Sequence, residues 1–406
     1  MYITNLELIN YRNYGRLNLE VGPSVNVIYG KNAQGKTNII EAINYCSCLT
    51  SHRTYKEREL VRFNEKGFDI SLNLCDEIDD YKTSLSVKYD SETQKRKLFQ
   101  DNFEIRKISS YLGLCNTVIF VPEDLNIVKG APSYRRKFLN VLISKISPVY
   151  FDLITAYSRI LNQKNVYLKK YSNNIDENIL DYYDINLADL SSKIVFYRLR
   201  FVMMLSDYAS VHHSRISDSS EILSLNYCSV SGLIDLFVSE LENHLGKDYR
   251  NDFINDRMSN DDRTQILASL NAYLYAKITS ARKNDIDKGF ASVALNKDDI
   301  DIQLNELSMR AYSSQGQKRS AALALKLSEL DCLRTFTSTS PILLLDDVFS
   351  ELDKERRKSL ITNVKDTQIF ITCTDKEFIL NEILDKESES EMRFYRVNNG
   401  VICPAE

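Results

Sequence analysis

No run of roughly 18 or more apolar residues occurs in this 406-residue sequence, so it offers no membrane-spanning helix and predicts no membrane partner. Met1 to Gly15 carries Asn, Glu and Arg where a secretory leader would place a basic segment followed by an apolar one; the expectation is a soluble, cytoplasmic protein. Paired cysteines are also missing. The eight (Cys46, Cys48, Cys75, Cys115, Cys228, Cys332, Cys373, Cys403) form no C-x-x-C, and only four histidines accompany them, which argues against zinc and for reduced thiols. There is no excess of basic charge: the net charge is −4, so any hold on a nucleic acid must come from local patches. Those patches are Lys95, Arg96 and Lys97; Arg135, Arg136 and Lys137; Lys169 and Lys170; and Arg282 and Lys283, each of which alone also suits a solvated face. Internal repeats and low-complexity linkers are absent. With 43% hydrophobic and 27% charged residues, the composition suits a globular chain with room for two domains.

The hydrophobic period changes twice along the chain. Alternating Leu6, Leu8 and Leu17, Leu19, Val21 predict a hairpin about Asn13 to Gly15. The apolar run Val25 to Tyr29 predicts a strand leading into glycine and then a helix from Lys36 to about Leu49. Strands follow at Phe68–Leu74, Tyr81–Tyr89 and Thr117–Val121, with a tight turn at Asp101-Asn102. From about Ser133 the period is helical: Tyr150, Leu153, Ile154, Tyr157 and Leu161 line one face, as do Leu190, Ile194, Tyr197, Phe201, Met204, Tyr208 and Val211. A third long helix is expected about Ile266 to Lys277, with a short strand at Leu223, Leu225 and Tyr227. These helices are too few in heptads for a coiled-coil arm. After Asp285 alternation returns at Ile300, Ile302 and Leu304, followed by a helix from Gln317 to about Phe336, strands at Ile342–Leu345 and Gln368–Cys373, and a hairpin over Asn398, Asn399 and Gly400. The expected fold class is α/β: a discontinuous α/β lobe, residues 1–132 and 286–406, with antiparallel strands, carrying an inserted, mostly helical lobe, residues 133–285.

Three strings carry chemistry. Gly30-Lys31-Asn32-Ala33-Gln34-Gly35-Lys36-Thr37 matches G-x-x-x-x-G-K-[ST] between a predicted strand and helix. Its backbone N–H groups suit the β-phosphate of ATP, Lys36 the β/γ oxygens, and the Thr37 hydroxyl a Mg2+ ion. Pro341 to Asp347 is an apolar strand ending in adjacent acids, which are costly to desolvate unpaired. Asp346 is assigned to the metal, through water or directly, and Asp347 to orienting or polarising the attacking water, so that Asp347 and Lys36 form the catalytic pair. Ser313-Ser314-Gln315-Gly316-Gln317 precedes a helix rich in Ala and Leu. A helix N-cap accounts for a serine there; it accounts less well for Gln-Gly-Gln.

An N-terminal phosphate loop, a long insert, a Ser-x-Gly-Gln signature and Ser350-Glu351-Leu352-Asp353 after the acidic strand together resemble an ABC-type ATPase of the SMC and RecF group. Asn10–Tyr14, Phe120–Leu125, Lys129–Leu139, Ser314–Ser320 and Leu345–Asp353 resemble the RecF pattern closely, over essentially the full length. The resemblance implies a cytoplasmic bacterial repair protein. It would dimerise with ATP on double-stranded or gapped DNA, hydrolyse ATP slowly, and work with RecO and RecR in loading RecA at single-strand gaps. It further implies that Ser314, Gln315, Gly316 and Gln317 meet the γ-phosphate held by a second subunit, and that Asp353 belongs to the D-loop of the dimer interface. Glu123 and Asp124 fall where a loop would couple insert and nucleotide. The chain departs from the family at Ala294-Leu295-Asn296-Lys297-Asp298-Asp299, where the pattern reads Gly-Pro-His-Arg-Asp-Asp. Lys297 keeps the charge and loses bidentate geometry. Thr374 and Asp375 stand where many ABC ATPases place a switch histidine.

Three rival functions compete with this expectation. A transporter ATPase would lack the long insert, an SMC-like tether would need hundreds of coiled-coil residues, and a related nuclease would need an additional acidic metal domain for which no sequence remains.

Overall fold

A computed structural model describes residues 1–76, 81–171, 174–217, 221–337, 339–348, 356–357, 367–376, 392–398 and 400–405, with backbone only for 404 and 405. The chain divides into two compact units, 1–124 with 326–406, and 125–325.

The first unit opens with β1 (Tyr2–Tyr11), β2 (Tyr14–Glu20), β3 (Val25–Tyr29), α1 (Lys36–Cys48), β4 (Gly67–Cys75), β5 (Lys82–Asp90), β6 (Lys95–Gln100), β7 (Phe103–Ile105), α2 (Ile108–Tyr111) and β8 (Thr117–Phe120). Six of these strands form an antiparallel sheet in the order β2-β1-β4-β5-β6-β7. Its period-two pattern, interrupted on β1 by a register irregularity between Ile3 and Asn5, buries Leu6, Leu8, Phe68, Ile70, Leu72, Leu85 and Val87 on one face while Glu7, Lys88 and Lys97 stand on the other. Each such aliphatic side chain contributes about 1.5–3 kcal/mol on burial.

The second unit holds α3 (Leu125–Lys129), α4 (Pro132–Ile146), α5 (Pro148–Tyr171), α6 (Glu177–Ile216), β9 (Leu223–Cys228), α7 (Ile234–Leu245), α8 (Tyr249–Ile254), α9 (Asn260–Ser280), α10 (Arg282–Lys288), β10 (Asp299–Leu304), β11 (Leu307–Ser308) and α11 (Met309–Tyr312). α12 (Gln315–Phe336) then runs from this unit into the first, which ends with β12 (Ile342–Asp346), β13 (Ile369–Cys373), β14 (Met392–Asn398) and β15 (Val401–Ala405). These close a second six-stranded sheet, β15-β14-β3-β13-β12-β8, parallel except for β15 at its edge. β12 and β13 are buried throughout, as expected of a sheet covered on both faces. α1 packs against strands of both sheets with Ile39, Ile40 and Ile43 fully buried, and two of its buried polar side chains are satisfied: Thr117 donates to Asn44 at 3.2 Å and Ser47 to the Cys115 carbonyl at 2.7 Å.

The return of alternation after Asp285 therefore does not mark the return to the ATPase lobe at residue 286, as the sequence suggests. β10 pairs with β9, Ile300 opposite Tyr227 and Leu304 opposite Leu223, in a three-stranded sheet β11-β10-β9 that belongs to the second unit. Strand period reports burial on one face and says nothing about which unit supplies the partner. The core of this unit includes the ring cluster Phe196, Phe237 and Phe253, with centroids 5.2–5.7 Å apart.

Candidate active site

β3 ends where the chain must turn sharply. Gly30 has φ 149° and lies so near β14 that a Cβ would stand 2.4 Å from the Val397 carbonyl oxygen. Gly35, at φ 113°, is equally confined, with a Cβ position 2.5 Å from Asn13 Nδ2 and 2.9 Å from Tyr14 Oη. Both positions require glycine, and between them the loop wraps the start of α1. Lys36 turns its Nζ back across the loop, donating to the Gly30 carbonyl at 2.5 Å and the Lys31 carbonyl at 3.0 Å. Burial pushes the Lys36 ammonium down, against the pull of Asp347 and Asp346. Phosphate oxygens would offer it stronger acceptors than two carbonyls do.

The parallel order places β12 two strands from β3, with β13 between them, so the acidic strand ends beside the loop. Thr37 Oγ1 donates to Asp346 Oδ1 at 2.9 Å, and Thr372 Oγ1 donates to the same oxygen at 2.7 Å. Asp346 is 5% exposed. Asp347 leaves the strand with φ 55° and faces solvent, its amide donating to Thr372 Oγ1 at 2.9 Å. Burial and the neighbouring Asp346 raise the Asp347 carboxyl from its ordinary value, with Lys36 opposing. The hydroxyl of Thr37 and the carboxylate of Asp346 are the hard donors that Mg2+ uses alongside nucleotide oxygens and water, so the residues present fit that ion. Among the described residues no cluster of three or more His, Cys, Asp or Glu makes a metal site of its own.

Residues not assigned from the sequence brace this loop. Asn13 donates to the Gln34 carbonyl at 3.1 Å and accepts from Asn38 at 2.8 Å; Tyr14 donates to the Gly35 carbonyl at 3.1 Å. Arg12 holds Glu41 of α1 through two bonds, 2.8 and 2.7 Å. Ser51 donates to the same carboxylate at 2.5 Å. The neighbouring His52 lies within electrostatic reach of Asp346 and Glu123, and burial pushes its imidazole down. Asn10 to Tyr14 stands out in the sequence as a family-like string but without a role; Thr372 carries no such signal.

In the second unit Ser314 caps α12. Its Oγ accepts from the Gln317 amide at 3.2 Å, and Gln317 Oε1 accepts from the Ser314 amide at 2.7 Å. This reciprocal capping box accounts for Gln317 as well as Ser314. Ser314 and Gln315 are exposed, and the Gly316 and Gln317 positions are half-buried. Asp353 and the rest of Ser350–Asp353 lie outside the described residues.

The basic clusters divide into inward and outward members. Arg135 is 4% exposed and clamps Asp299 through Nε at 2.7 Å and Nη2 at 2.8 Å, so its assignment as a DNA contact is corrected: helical spacing turns it inward beside Leu139 and Leu142. Arg136 donates to the Asp298 carbonyl at 2.8 Å and Lys137 is half-buried. Arg96 faces inward on β6 and donates to Glu57 at 2.6 Å, whereas Lys95 and Lys97 are exposed. Asp298 accepts from Tyr227 Oη at 2.6 Å and lies beside buried Arg198. The acids retained in the divergent 294–299 segment thus anchor buried cations.

A phosphate loop braced on a parallel sheet, an acidic strand meeting it at Thr37, and an inserted unit that ends in a Ser-x-Gly-Gln helix start define a P-loop ATPase of the ABC and SMC-head class. The comparisons agree. A family model described as an AAA domain matches residues 5–207. The DNA replication and repair protein RecF of Clostridium perfringens is 36% identical over 402 residues, 99% of each chain, and that of Clostridium tetani 35% identical over 400 residues, 98% of this chain and 99% of the other. A solved structure of the recombination mediator protein RecF with ATP, in the RecFOR pathway, has a TM-score of 0.84 at 31% identity, covering 100% of this chain and 98% of that one. An SMC head domain from Pyrococcus furiosus shares the fold at TM-score 0.51 and 14% identity, covering 100% and 96%. The chain belongs to the RecF family of DNA replication and repair proteins. No helix among the described residues is long and apolar enough to cross a membrane.

Proposed function

We propose that this chain is a nucleotide-gated DNA clamp of the RecFOR pathway: it binds ATP with Mg2+, dimerises on double-stranded or gapped DNA, and hydrolyses ATP slowly to reset binding. The observation that carries the reading is the Thr37–Asp346 hydrogen bond, which brings the end of the phosphate loop and the end of the acidic strand to one point. In this reading the amides of residues 30–37 and the Lys36 ammonium bind the β- and γ-phosphates, and Thr37 and Asp346 hold the metal, which supplies charge neutralisation at the phosphates. Asp347, exposed and with a raised carboxyl, orients the attacking water and accepts its proton at a carboxylate oxygen. Ser314, at the exposed N-terminal end of α12, donates its hydroxyl to the γ-phosphate held by a second copy, with Gln315, Gly316 and Gln317 beside it, and Asp353 lies at that interface. Lys95 and Lys97 are the first DNA contacts, followed by Arg136 and Lys137. RecR and RecO are the partners, and RecA loading at gaps is the outcome, in the cytoplasm.

The test is ATP turnover with and without gapped duplex, together with light scattering. DNA-stimulated hydrolysis and an ATP-dependent dimer are expected. A monomeric protein whose ATP turnover ignores DNA would refute the clamp.

A further inference from the structure

The capping box at Ser314 does not end with Gln317. Gln317 Oε1 is committed to the Ser314 amide, so Nε2 must point the other way, where it donates to Glu221 Oε1 at 2.7 Å. The second oxygen of Glu221 lies 3.0 Å from His213 Nε2, in the last turn of the 40-residue helix α6. His213 is fully buried, and its Nδ1 has no hydrogen-bond partner among the described residues, so Nε2 carries the proton that Glu221 accepts. Glu221 is itself fixed from the following residue: the Ile222 amide donates to Asn305 Oδ1 at 2.9 Å, and the Asn305 amide returns to the Ile222 carbonyl at 2.9 Å. Each link from His213 through Glu221 and Gln317 to the Ser314 amide is thus made by one donor and one acceptor.

A Ser-x-x-Gln capping box needs no Glu221; it closes on itself. What Glu221 adds is the loss of the alternative amide orientation. With Gln317 flipped, an NH2 group would face the Ser314 N–H and the box would open. We propose that His213, Glu221 and Gln317 form a positioning relay that sets the orientation of Ser314 according to the state of the α6 C-terminus. This proposal rests on the reading that Ser314 serves a second copy's nucleotide. Displacement of the end of α6 would then loosen Ser314 and lower ATP-dependent dimerisation without touching the phosphate loop.

The experiment exchanges donor and acceptor. Gln317→Glu sets two carboxylates against each other. Gln317→Glu with Glu221→Gln restores the chain in reverse polarity, since the new amide at position 221 donates through its nitrogen to the new carboxylate at position 317 while its oxygen accepts from His213. Hydrogen exchange at the amides of 314–317, measured on the full ATP-free chain, reads the relay directly. Gln317→Glu should speed exchange at least tenfold and weaken the ATP-dependent dimer at least tenfold, and the double variant should bring both back to within about threefold of wild type. Glu221→Ala, outside the binding machinery, gives a second measure should Gln317→Glu fold poorly: faster exchange, a weaker dimer and unchanged nucleotide affinity of the monomer. A double variant no better than Gln317→Glu, or Glu221→Ala with wild-type exchange, overturns the relay. Ser314→Arg serves as the control: if it dimerises normally while the exchange pattern follows the relay, the reading of Ser314 in trans has failed and the relay has not.

Discussion

Thr37 and Asp346, 309 positions apart in the chain, meet in a 2.9 Å hydrogen bond with the hydroxyl donating to the carboxylate. Thr372 takes the same Asp346 oxygen from the other side, so this acid is buried and held while its neighbour Asp347 swings out on a left-handed backbone. Two adjacent carboxylates in such different settings are suited to different work, the fixed one to a metal and the exposed one to water, as the proposed function has it.

Asp347→Asn is expected to bind ATP normally and to lower hydrolysis by about 10²-fold or more, since the amide keeps the shape and loses the proton acceptor. Single-turnover hydrolysis beside an equilibrium nucleotide titration separates the two. Unchanged turnover would move the role to Glu123 or to His52, which lies in electrostatic reach of Asp346.

Lys36→Ala removes the ammonium that now rests on the Gly30 and Lys31 carbonyls. No other cation in the loop takes its direction: Lys31 is exposed. ATP binding and ATP-dependent DNA binding should both disappear. A fluorescent-nucleotide titration giving wild-type affinity would refute the assignment.

The local strings were legible because each is written in consecutive residues: the phosphate loop, the acidic strand, the helical stripes of α5 and α6. What was hidden depends on partners far along the chain. Arg135 meets Asp299 across 164 positions, and nothing in Arg135-Arg136-Lys137 announces that its first member is an internal ion pair. The β6 cluster was readable in principle, since a period of two must send Arg96 to the face opposite Lys95 and Lys97. The unit boundary was lost for the same reason as Arg135, because β9 and β10 find each other across the helices between them.

Glu41 offers a pH test. Its side chain is fully buried; burial alone would raise the carboxyl, but hydrogen bonds from Arg12 and Ser51 and the charges of Arg12 and Arg53 hold it below its ordinary value. A depressed carboxylate stabilises the fold fully above its unfolded pKa, about 4.3, and loses that contribution as pH falls through the folded value. Glu41→Gln should therefore cost about 3 kcal/mol near neutrality. The gap from wild type should narrow in urea titrations as pH is lowered from about 5 to about 3. A gap independent of pH would show that the ion pair is not its source.

DNA affinity should fall steeply with salt, because an acidic protein can hold phosphates only through local cations that displace counterions. Replacing Lys95 and Lys97 by alanine should flatten the slope of log affinity against log salt by roughly one for each lysine that neutralises a phosphate. Arg135→Ala should leave that slope alone and cost about 2 kcal/mol of stability, by stranding Asp299. An unchanged slope in the lysine double variant would place the DNA surface elsewhere.

Ser314→Arg tests whether the nucleotide site is completed by a second copy. In the proposed reading the phosphate loop would surround ATP from one side and leave the outer face of the γ-phosphate open, and a helix N-terminus bearing a serine hydroxyl is suited to fill it. Ser314 is exposed, with its Oγ already accepting from the Gln317 amide, so the hydroxyl proton remains to be given away. Only intact ATP presents the acceptor, which makes the dimer a reporter of the γ-phosphate. An arginine at 314 cannot fit between the partner's phosphates and its Lys36, so ATP binding by the monomer should stay near wild type while ATP-dependent dimerisation is lost. Mixing Ser314→Arg with Lys36→Ala should restore a partial dimer. The first chain keeps its Lys36 and the second its Ser314, and together they assemble one complete half-site. Sedimentation with and without ATP reads all three samples; a Ser314→Arg homodimer as tight as wild type would refute the composite site and favour a switch within one chain.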